Sequence, residues 1–276
     1  MTRSDTLACP PMLYGTAWKE EDTAAHTTAA LNAGFRGIDT ANQRKHYHEA
    51  GVGVAVREFL AHNPRSALFL QTKFTYPRGQ DHRLPYDPAA AVPTQVRQSF
   101  TSSLEHLGVD HLDSMLLHGP ELNQGLSIGD LQVWRTLEAL HDEGAVGRIG
   151  VSNVSAEQLR ELIAQARVAP AFVQNRCYAD RGFDRTVREI CAENHIVYQG
   201  FSLLTANRTL WADRRVHAIA RALDCTPAQV ILRFAIHLGI LPLTGTTDPA
   251  HMRADLECLK LEISEAQLAA LAGCLA

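Results

Sequence analysis

Three absences limit the class of protein that this sequence can encode. It has no long run of charge of one sign and its formal net charge is −4, which argues against binding to nucleic-acid phosphates. Its most apolar region, residues 230–243, is interrupted by Arg233 and His237 and is too short to span a bilayer. Residues 1–10 contain no apolar stretch of signal-peptide length. We therefore expect a cytoplasmic protein with no membrane and no nucleic-acid partner.

Several site motifs are also missing. The six cysteines include no Cys-x-x-Cys pair, so we expect reduced thiols. No Gly-x-Gly-x-x-Gly fingerprint follows the first predicted strand, which argues against a Rossmann fold, and no Gly-x-Ser-x-Gly elbow supports a serine hydrolase. The segment His46-Tyr47-His48-Glu49 places two imidazoles beside a carboxylate. Its spacing matches no firm ligand template, so we expect no metal site.

The hydrophobic period alternates between strand and helix along the whole chain. Short apolar runs predict eight buried strands, at residues 12–14, 37–39, 68–72, 112–117, 148–151, 172–174, 196–200 and 240–244. Because each pair of neighbouring parallel strands needs a helical crossover, eight repeats predict an α/β fold, a single (β/α)8 TIM barrel over residues 1–276. An open doubly wound sheet is the alternative.

Local signals mark the helix ends independently of this period. Residues 155–158 and 264–267 each place a serine three positions before a glutamine, which predicts a capping box at a helix start. Thr226 followed by Pro227 predicts a further start, since proline at the first helical position has no hydrogen bond to lose. Gly34 stands where a glycine that ends a helix is expected.

Polar side chains follow the predicted strands at the end where a barrel carries its chemistry. They include Asp39, Lys73 and His118 after the second, third and fourth strands. Later strands end at the set Ser152, Asn153, Gln174, Ser202 and Gly245. A carboxylate, an ammonium, an imidazole and several amides are therefore expected to converge at one mouth.

Tyr47, in the segment after the second strand, adds a proton donor to this set. An unperturbed tyrosine has a pKa of about 10, and a neighbouring ammonium such as Lys73 favours the phenolate, so we expect the pKa of Tyr47 to be lowered. Such a phenol can protonate an oxygen that becomes an alkoxide as hydride arrives. A neutral His118 imidazole can donate a hydrogen bond to the same oxygen. The hydride must come from a cofactor.

At this point the sequence resembles the aldo-keto reductase family. The motifs that carry the resemblance are FRGIDTA (35–41), LQTK (70–73), LEHLGVDHLD (104–113) followed by LLH (116–118), and GRIGVSN (147–153). The resemblance extends from about Tyr14 to about Leu271. It implies a barrel with an NADP cofactor across its mouth and a catalytic tetrad of Asp39, Tyr47, Lys73 and His118.

The resemblance also implies roles for residues around the cofactor. Ser152 and Asn153 are expected at the nicotinamide carboxamide, with Gln174 or Asn175 nearby. Phe201, Ser202 and Leu204 are expected at the pyrophosphate. The adenosine end is expected at Gly245, Thr246, Thr247, Arg253 and Asp255. Trp18, Tyr76 and Gly119 are expected to line the substrate pocket, with Gly119 at a position where many relatives have a tryptophan.

Three positions depart from the family pattern. Tyr47 lies eight residues after Asp39 rather than five, so His46 or water is the alternative proton donor. The aromatic residue that stacks on the nicotinamide is matched by Cys177 or by Tyr178, depending on the register. The cations that many relatives direct at the 2′-phosphate are absent from Thr246, Thr247 and His251, which leaves Arg253 as a substitute and NADH as an alternative cofactor.

Two functions follow from this reasoning. The first is an NAD(P)H-dependent oxidoreductase that reduces the carbonyl group of an aldehyde or ketone, or an imine, with a small molecule as its substrate. The second, motivated by the displaced tyrosine, is a regulatory or scaffold barrel that binds the cofactor with little or no turnover. A monomer is the default expectation for either function.

Overall fold

Eight parallel strands close into a barrel in the computed structural model, which describes residues 9–274. The strands are β1 Leu13–Gly15, β2 Gly37–Asp39, β3 Phe69–Phe74, β4 Leu112–Leu117, β5 Val146–Ser152, β6 Phe172–Arg176, β7 Val197–Phe201 and β8 Ile240–Thr244. Each strand pairs with the next in sequence, and β1 pairs with β8 to complete the ring. The predicted (β/α)8 barrel is confirmed, and the open sheet is not formed.

Helices cover the outside of the barrel and return the chain to the start of the next strand. Those in the described residues are α1 Thr23–Ala33, α2 Glu49–Leu60, α3 Val92–Leu107, α4 Ile128–Asp142, α5 Ala156–Gln165, α6 Arg185–Glu193, α7 Arg208–Trp211, α8 Arg214–Ala222, α9 Pro227–His237, α10 Pro249–Glu257 and α11 Glu265–Ala272. None of them is both long enough and apolar enough to cross a membrane. Residues 1–8, on which most of the expectation about a signal peptide rests, lie outside the described part of the chain.

The helix ends follow the local signals in the sequence. Capping boxes are formed by Ser155 with Gln158 at α5 and by Ser264 with Gln267 at α11, as predicted. Thr226 caps α9, whose first residue is Pro227. Gly34 ends α1 with φ at +116°, a conformation that residues with a Cβ rarely adopt.

Most strands differ from their predicted bounds at the carboxyl end. β2, β4 and β8 match the prediction, whereas β3 continues through Lys73 and Phe74 and β6 continues through Asn175 and Arg176. The parallel hydrogen-bond ladder extends past the apolar run, because backbone pairing continues through polar residues such as Lys73 and Asn175 near the mouth. A strand predicted from its apolar run alone therefore ends before the polar residues at the mouth are reached.

The barrel interior is layered, and this layering positions the site. Its lower part is an apolar cluster of Leu13, Phe69, Leu116, Phe172 and Leu243. The rings of Phe69 and Phe172 meet edge to face with centroids 5.9 Å apart. Because side chains alternate along a strand, Gln71 and Lys73 of β3 project into the same interior at successive higher levels. The larger hydrophobic cluster packs between the barrel and its helices.

Candidate active site

Asp39 and Lys73 form a buried ion pair at the carboxyl ends of β2 and β3. The Lys73 Nζ donates to Asp39 Oδ2 at 2.7 Å and to the carbonyl oxygen of Thr40 at 2.8 Å. The Lys73 side chain is fully buried, and burial lowers the pKa of this ammonium, an effect that the Asp39 carboxylate opposes. The Asp39 carboxylate and the Thr40 carbonyl oxygen are the acceptors that a buried ammonium needs.

A layer of three glutamines surrounds the other carboxylate oxygen. Asp39 Oδ1 accepts hydrogen bonds from Gln71 Nε2 at 2.7 Å and from Gln174 Nε2 at 2.9 Å. Both amides also donate to Gln199 Oε1, at 2.8 and 2.9 Å. Gln199 Nε2 returns a hydrogen bond to Gln71 Oε1 at 3.0 Å. The network joins β2, β3, β6 and β7 across the barrel interior.

The carboxylate fixes the orientation of every amide in this layer. An ionised carboxylate only accepts hydrogen bonds, so Gln71 and Gln174 must present their amino groups to Asp39. The oxygen of Gln199 then accepts from both, and its amino group is left for Gln71. Both hydrogens of the Gln174 amide are therefore used inside the barrel. Its carbonyl oxygen remains as the acceptor that this side chain offers to the cavity above it.

His118 follows β4 and is held by a neighbour from β3. Its Nδ1 lies 2.6 Å from Thr75 Oγ1. Burial lowers the pKa of His118 to about 3, and the positive charges of Lys73 and His46 act in the same direction. The imidazole is therefore neutral at neutral pH, as the sequence reasoning expected. When Thr75 donates to Nδ1, the ring proton is on Nε2 and the imidazole is a hydrogen-bond donor.

Tyr47 reaches the same mouth from the loop between β2 and α2, in spite of its displaced position in the sequence. Its ring packs edge-on against the His118 ring, with centroids 5.9 Å apart at 72°. The Lys73 Nζ lies 5.4 Å from the centroid of the Tyr47 ring. The loop with its extra residues therefore brings the phenol beside both partners, and the predicted tetrad is spatially together.

The expected direction of the pKa of Tyr47 is wrong for this structure. Burial raises the pKa of the phenol above its ordinary value, and the negative charge of Asp39 raises it further. The sequence reasoning considered the charge of Lys73 but not the loss of hydration at the mouth. The Lys73 charge is also largely neutralised by Asp39, which lies 2.7 Å away. Tyr47 is thus fully protonated at neutral pH.

The other candidate donors in this loop have different partners. The His46 ring lies against the Trp18 ring with centroids 4.0 Å apart, although His46 also lines the cavity. Arg44, five residues after Asp39, pairs with Glu21 at 2.8 Å. Glu49 is turned away, toward Thr72 and His106. Within residues 9–274, no three metal-ligating side chains converge on one point.

One cavity of about 700 Å³, which we call the main cavity, extends from the tetrad over the ends of β5 to β8 and β1. Asp39, Tyr47 and His118 lie at one end of it. Ten other residues that the sequence assigned to a site also line it: Trp18, Ser152, Asn153, Gln174, Phe201, Ser202, Leu204, Gly245, Thr246 and Thr247. Residues expected at one mouth thus line a single cavity.

Side-chain hydrogen bonds fix the neighbouring strand ends at the main cavity. Ser152 Oγ donates to the Gln174 carbonyl oxygen at 2.6 Å, and Asn153 Nδ2 donates to the His118 carbonyl oxygen at 2.8 Å. Three lining residues have left-handed backbones: Trp18 at φ +62°, Asn153 at +53° and Ser202 at +59°. This conformation is uncommon for tryptophan and serine and is concentrated at functional sites.

Three predicted cofactor residues lie outside the main cavity. Cys177 is fully buried beside Tyr198, with Sγ 3.4 Å from the phenol oxygen, because residues 174 and 176 of β6 face inward and residue 177 faces outward. Asp255 is buried and accepts a hydrogen bond from Thr244 Oγ1 at 2.5 Å. Arg253 is exposed on α10. The aromatic ring that does border the cavity from this side is Phe201, at the end of β7.

Two predicted substrate residues line a second cavity of about 540 Å³, which we call the side cavity. Tyr76 and Gly119 border it, and it shares His118 and Asn153 with the main cavity. Only Trp18 of the three predicted pocket walls borders the main cavity. The imidazole of His118 therefore lies where the two spaces meet.

Several site residues were not found from the sequence. Lys19, which lines the main cavity, donates to the carbonyl oxygen of Gly245 at 2.8 Å, and burial lowers its pKa to about 8. Arg176 also lines the main cavity, and its guanidinium lies 5.6 Å from the Phe201 ring. One feature of the sequence could have indicated Gln71 and Gln199. Both are polar residues within strands predicted to be buried, and such side chains need hydrogen-bond partners in the interior.

Comparison with known proteins agrees with this geometry. The family model described as "Aldo/keto reductase family" matches residues 12–276. The chain belongs to the aldo/keto reductase family. Its members reduce carbonyl groups as oxidoreductases and generally use NAD(P)H. The resemblance drawn from the four motifs is thereby confirmed.

Individual relatives are similar over most of their length. An aldo-keto reductase of Mycolicibacterium vanbaalenii is 33% identical over 245 residues, which is 89% of this chain and 80% of the relative. A protein of Yersinia pestis named methylglyoxal reductase DkgA is 27% identical and matches 91% of this chain and 83% of its own. The crystal structure of an aldo/keto reductase from Brucella melitensis superposes with a TM-score of 0.82 at 25% identity, over 96% of this chain and 93% of that one.

Proposed function

We propose that this protein is an NAD(P)H-dependent reductase that converts the carbonyl group of an aldehyde or ketone into an alcohol, with Tyr47 as the proton donor. The observation that carries the proposal is the placement of Tyr47 beside both the His118 ring and the Lys73 ammonium, in the lining of the main cavity. A proton donor, a hydrogen-bond donor and a buried cation are the groups that an incipient alkoxide requires.

The chain's own residues each have a part in the proposed reaction. Because its pKa is raised, Tyr47 holds its proton until the carbonyl oxygen gains negative charge. The His118 Nε2 proton, set by Thr75 on the opposite ring nitrogen, orients that oxygen. Lys73 then stabilises the phenolate that forms, and Asp39 keeps Lys73 in place. Such prepositioned groups stabilise developing charge without reorganisation.

The lining of the main cavity fits a nicotinamide cofactor, which supplies the hydride when bound. The fixed acceptor oxygen of Gln174, together with Ser152 and Asn153, suits the carboxamide of the nicotinamide. Phe201 offers an aromatic face beside them. The loop from Ser202 to Thr205 and the segment from Gly245 to Thr247 would hold the phosphates and the adenosine, with Lys19 as a cation against them.

The charges near the adenosine end bear on the choice between NADPH and NADH. NADPH is favoured by the family resemblance, and Arg253 is a nearby cation. Arg253 does not line the main cavity, however, and the lining segment from Gly245 to Thr247 carries no charge. We therefore propose NADPH as the cofactor and expect only a modest preference over NADH.

A titration and an assay together test this proposal. Quenching of protein fluorescence measures binding of NADPH and NADH, and oxidation of the reduced cofactor is then followed with a panel of aldehydes and ketones. We expect binding of at least one cofactor and turnover with several aldehydes. Binding without oxidation by any member of the panel would instead support the regulatory or scaffold barrel.

A further inference from the structure

The side cavity differs from the main cavity in the charge of its lining. It is lined by amides, hydroxyls and apolar groups, and by one residue with a full charge, Arg78. His118, the other ionisable base there, is neutral at neutral pH because its pKa is lowered. Within residues 9–274, the Arg78 guanidinium has no carboxylate within ion-pair distance. The side cavity is therefore bordered by an exposed cation that has no anionic partner among these residues.

Arg78 is held close to the reacting groups. It lies in the short 3-10 turn Pro77–Gly79, whose Gly79 carbonyl oxygen accepts from Gln43 Nε2 at 2.7 Å. Its guanidinium donates to the carbonyl oxygen of Pro120 at 2.5 Å. Pro120 is two residues beyond His118, so their Cα atoms are at most about 7 Å apart. One guanidinium nitrogen is thus used as an anchor, and the remaining donors are left for a ligand.

The neighbours of Arg78 fix its turn and leave its guanidinium available. Gln43 is 6% exposed and lines the side cavity, and its amide holds the turn that carries Arg78 through the hydrogen bond to Gly79. The nearby carboxylate of Asp130 is already used, since it accepts from the Tyr76 phenol and from two backbone amides. Glu121 is exposed and does not line the cavity.

We propose that the side cavity is a carboxylate subsite, in which Arg78 binds the acid group of a carbonyl substrate while His118 contacts its carbonyl oxygen. The preferred substrates are then short aldehydes or ketones that carry a carboxylate a few bonds from the reacting carbon. A guanidinium suits this ligand because its planar donors match the two oxygens of a carboxylate. The proposal rests on the proposed reductase function.

Isosteric substrate pairs test the subsite. Each pair consists of an aldehyde with a carboxylate and the same aldehyde with a neutral amide in its place. The pairs are 4-oxobutanoate with 4-oxobutanamide and 4-carboxybenzaldehyde with 4-formylbenzamide. Steady-state kcat/KM is measured for all four substrates with the wild type, Arg78→Gln and Arg78→Lys. Arg214→Gln, which removes an exposed arginine from α8, is the control. We expect the wild type to prefer at least one acid over its amide by about tenfold or more, as charged hydrogen bonds commonly allow.

Arg78→Gln should abolish that preference by lowering kcat/KM for the acid alone, with the amide changed less than about twofold. Arg78→Lys should retain part of it. Equal rates for acid and amide in the wild type, or equal losses on both in Arg78→Gln, would overturn the subsite while the reductase function stands. If no aldehyde oxidises the cofactor at all, the proposed function itself fails.

Discussion

Gln174 donates a hydrogen bond to Asp39 Oδ1 at 2.9 Å and thereby connects the lining of the main cavity to the buried ion pair beneath it. The same amide donates to Gln199, so the group that borders the main cavity cannot rotate without breaking two buried hydrogen bonds. The Gln199 side chain has its hydrogen bonds to Gln71 and Gln174 and not to Asp39 or Lys73, yet it accepts the second hydrogen bond that holds the Gln174 amide. Its effect on cofactor binding is therefore a direct test of the glutamine layer.

Replacing Gln199 should weaken both folding and cofactor binding. Gln199→Leu leaves the amides of Gln71 and Gln174 without their second acceptor, so we expect the free energy of unfolding to fall by about 1–3 kcal/mol. The Gln174 carboxamide then keeps only its hydrogen bond to Asp39 and is held less firmly, so cofactor affinity should fall as well. Urea denaturation and fluorescence titration measure the two effects.

Gln199→Glu is the informative partner variant. Its carboxylate still accepts from both neighbours, but it donates to Gln71 Oε1 only when it is protonated. Burial beside Asp39 favours that protonated form, so stability relative to the wild type should recover as the pH is lowered. If the free energies of unfolding of Gln199→Glu and Gln199→Leu have the same pH dependence, the hydrogen bond from residue 199 to Gln71 does not stabilise the network.

His118 should make the folded protein less stable in mild acid. Its pKa is about 3 in the folded protein and its ordinary value is 6.5, so between these values the unfolded chain binds a proton that the folded chain does not. The free energy of unfolding therefore falls as the pH is lowered from 6.5 toward 3. In His118→Gln the slope over pH 4.5–6 should be shallower by about 1.4 kcal/mol per pH unit.

Urea titrations at several pH values give this slope, and His62→Gln, which removes an exposed histidine, is the matched control. An identical slope in the wild type and His118→Gln would mean that the imidazole is not held neutral by burial. The neutral-imidazole role at the carbonyl oxygen would then need revision.

The sequence was sufficient for features that depend on local chemistry or on one strand at a time. The strand order, the capping boxes at Ser155 and Ser264 and the convergence of Asp39, Lys73 and His118 follow from periodicity and from the position of polar residues after strands. Features that depend on contacts between distant segments could not be predicted. The Gln71–Gln199 hydrogen bond joins residues 128 positions apart.

Two errors had identifiable physical causes. Cys177 was matched to the stacking position through the resemblance, with Gln174 as the anchor of the register, whereas the alternation of side chains along β6 turns residue 177 away from the cavity. The pKa of Tyr47 was expected to fall because the charge of Lys73 is visible in the sequence, whereas burial is a property of the folded chain. Arg78 had no signal at all, since its significance depends on the cavity that it lines.

Lys19 should make cofactor affinity depend on pH. Burial lowers its pKa to about 8, so above that pH the free protein loses a positive charge at the Gly245 end of the main cavity. If an anionic phosphate binds there, affinity for the reduced cofactor should fall as the pH rises through about 8. Lys19→Arg keeps its charge throughout this range and should lose that dependence. Parallel pH profiles from pH 7 to 10 in the two proteins would contradict the assignment.

The central claim is that the Tyr47 hydroxyl delivers the proton to the carbonyl oxygen. The most direct measurement is the single-turnover rate of cofactor oxidation by an aldehyde at saturating cofactor, in Tyr47→Phe and in His46→Gln, with cofactor affinity measured in parallel. We predict that Tyr47→Phe slows turnover by about 100-fold or more while cofactor affinity is retained, and that His46→Gln remains active. Full turnover in Tyr47→Phe, or loss of turnover confined to His46→Gln, would contradict the account.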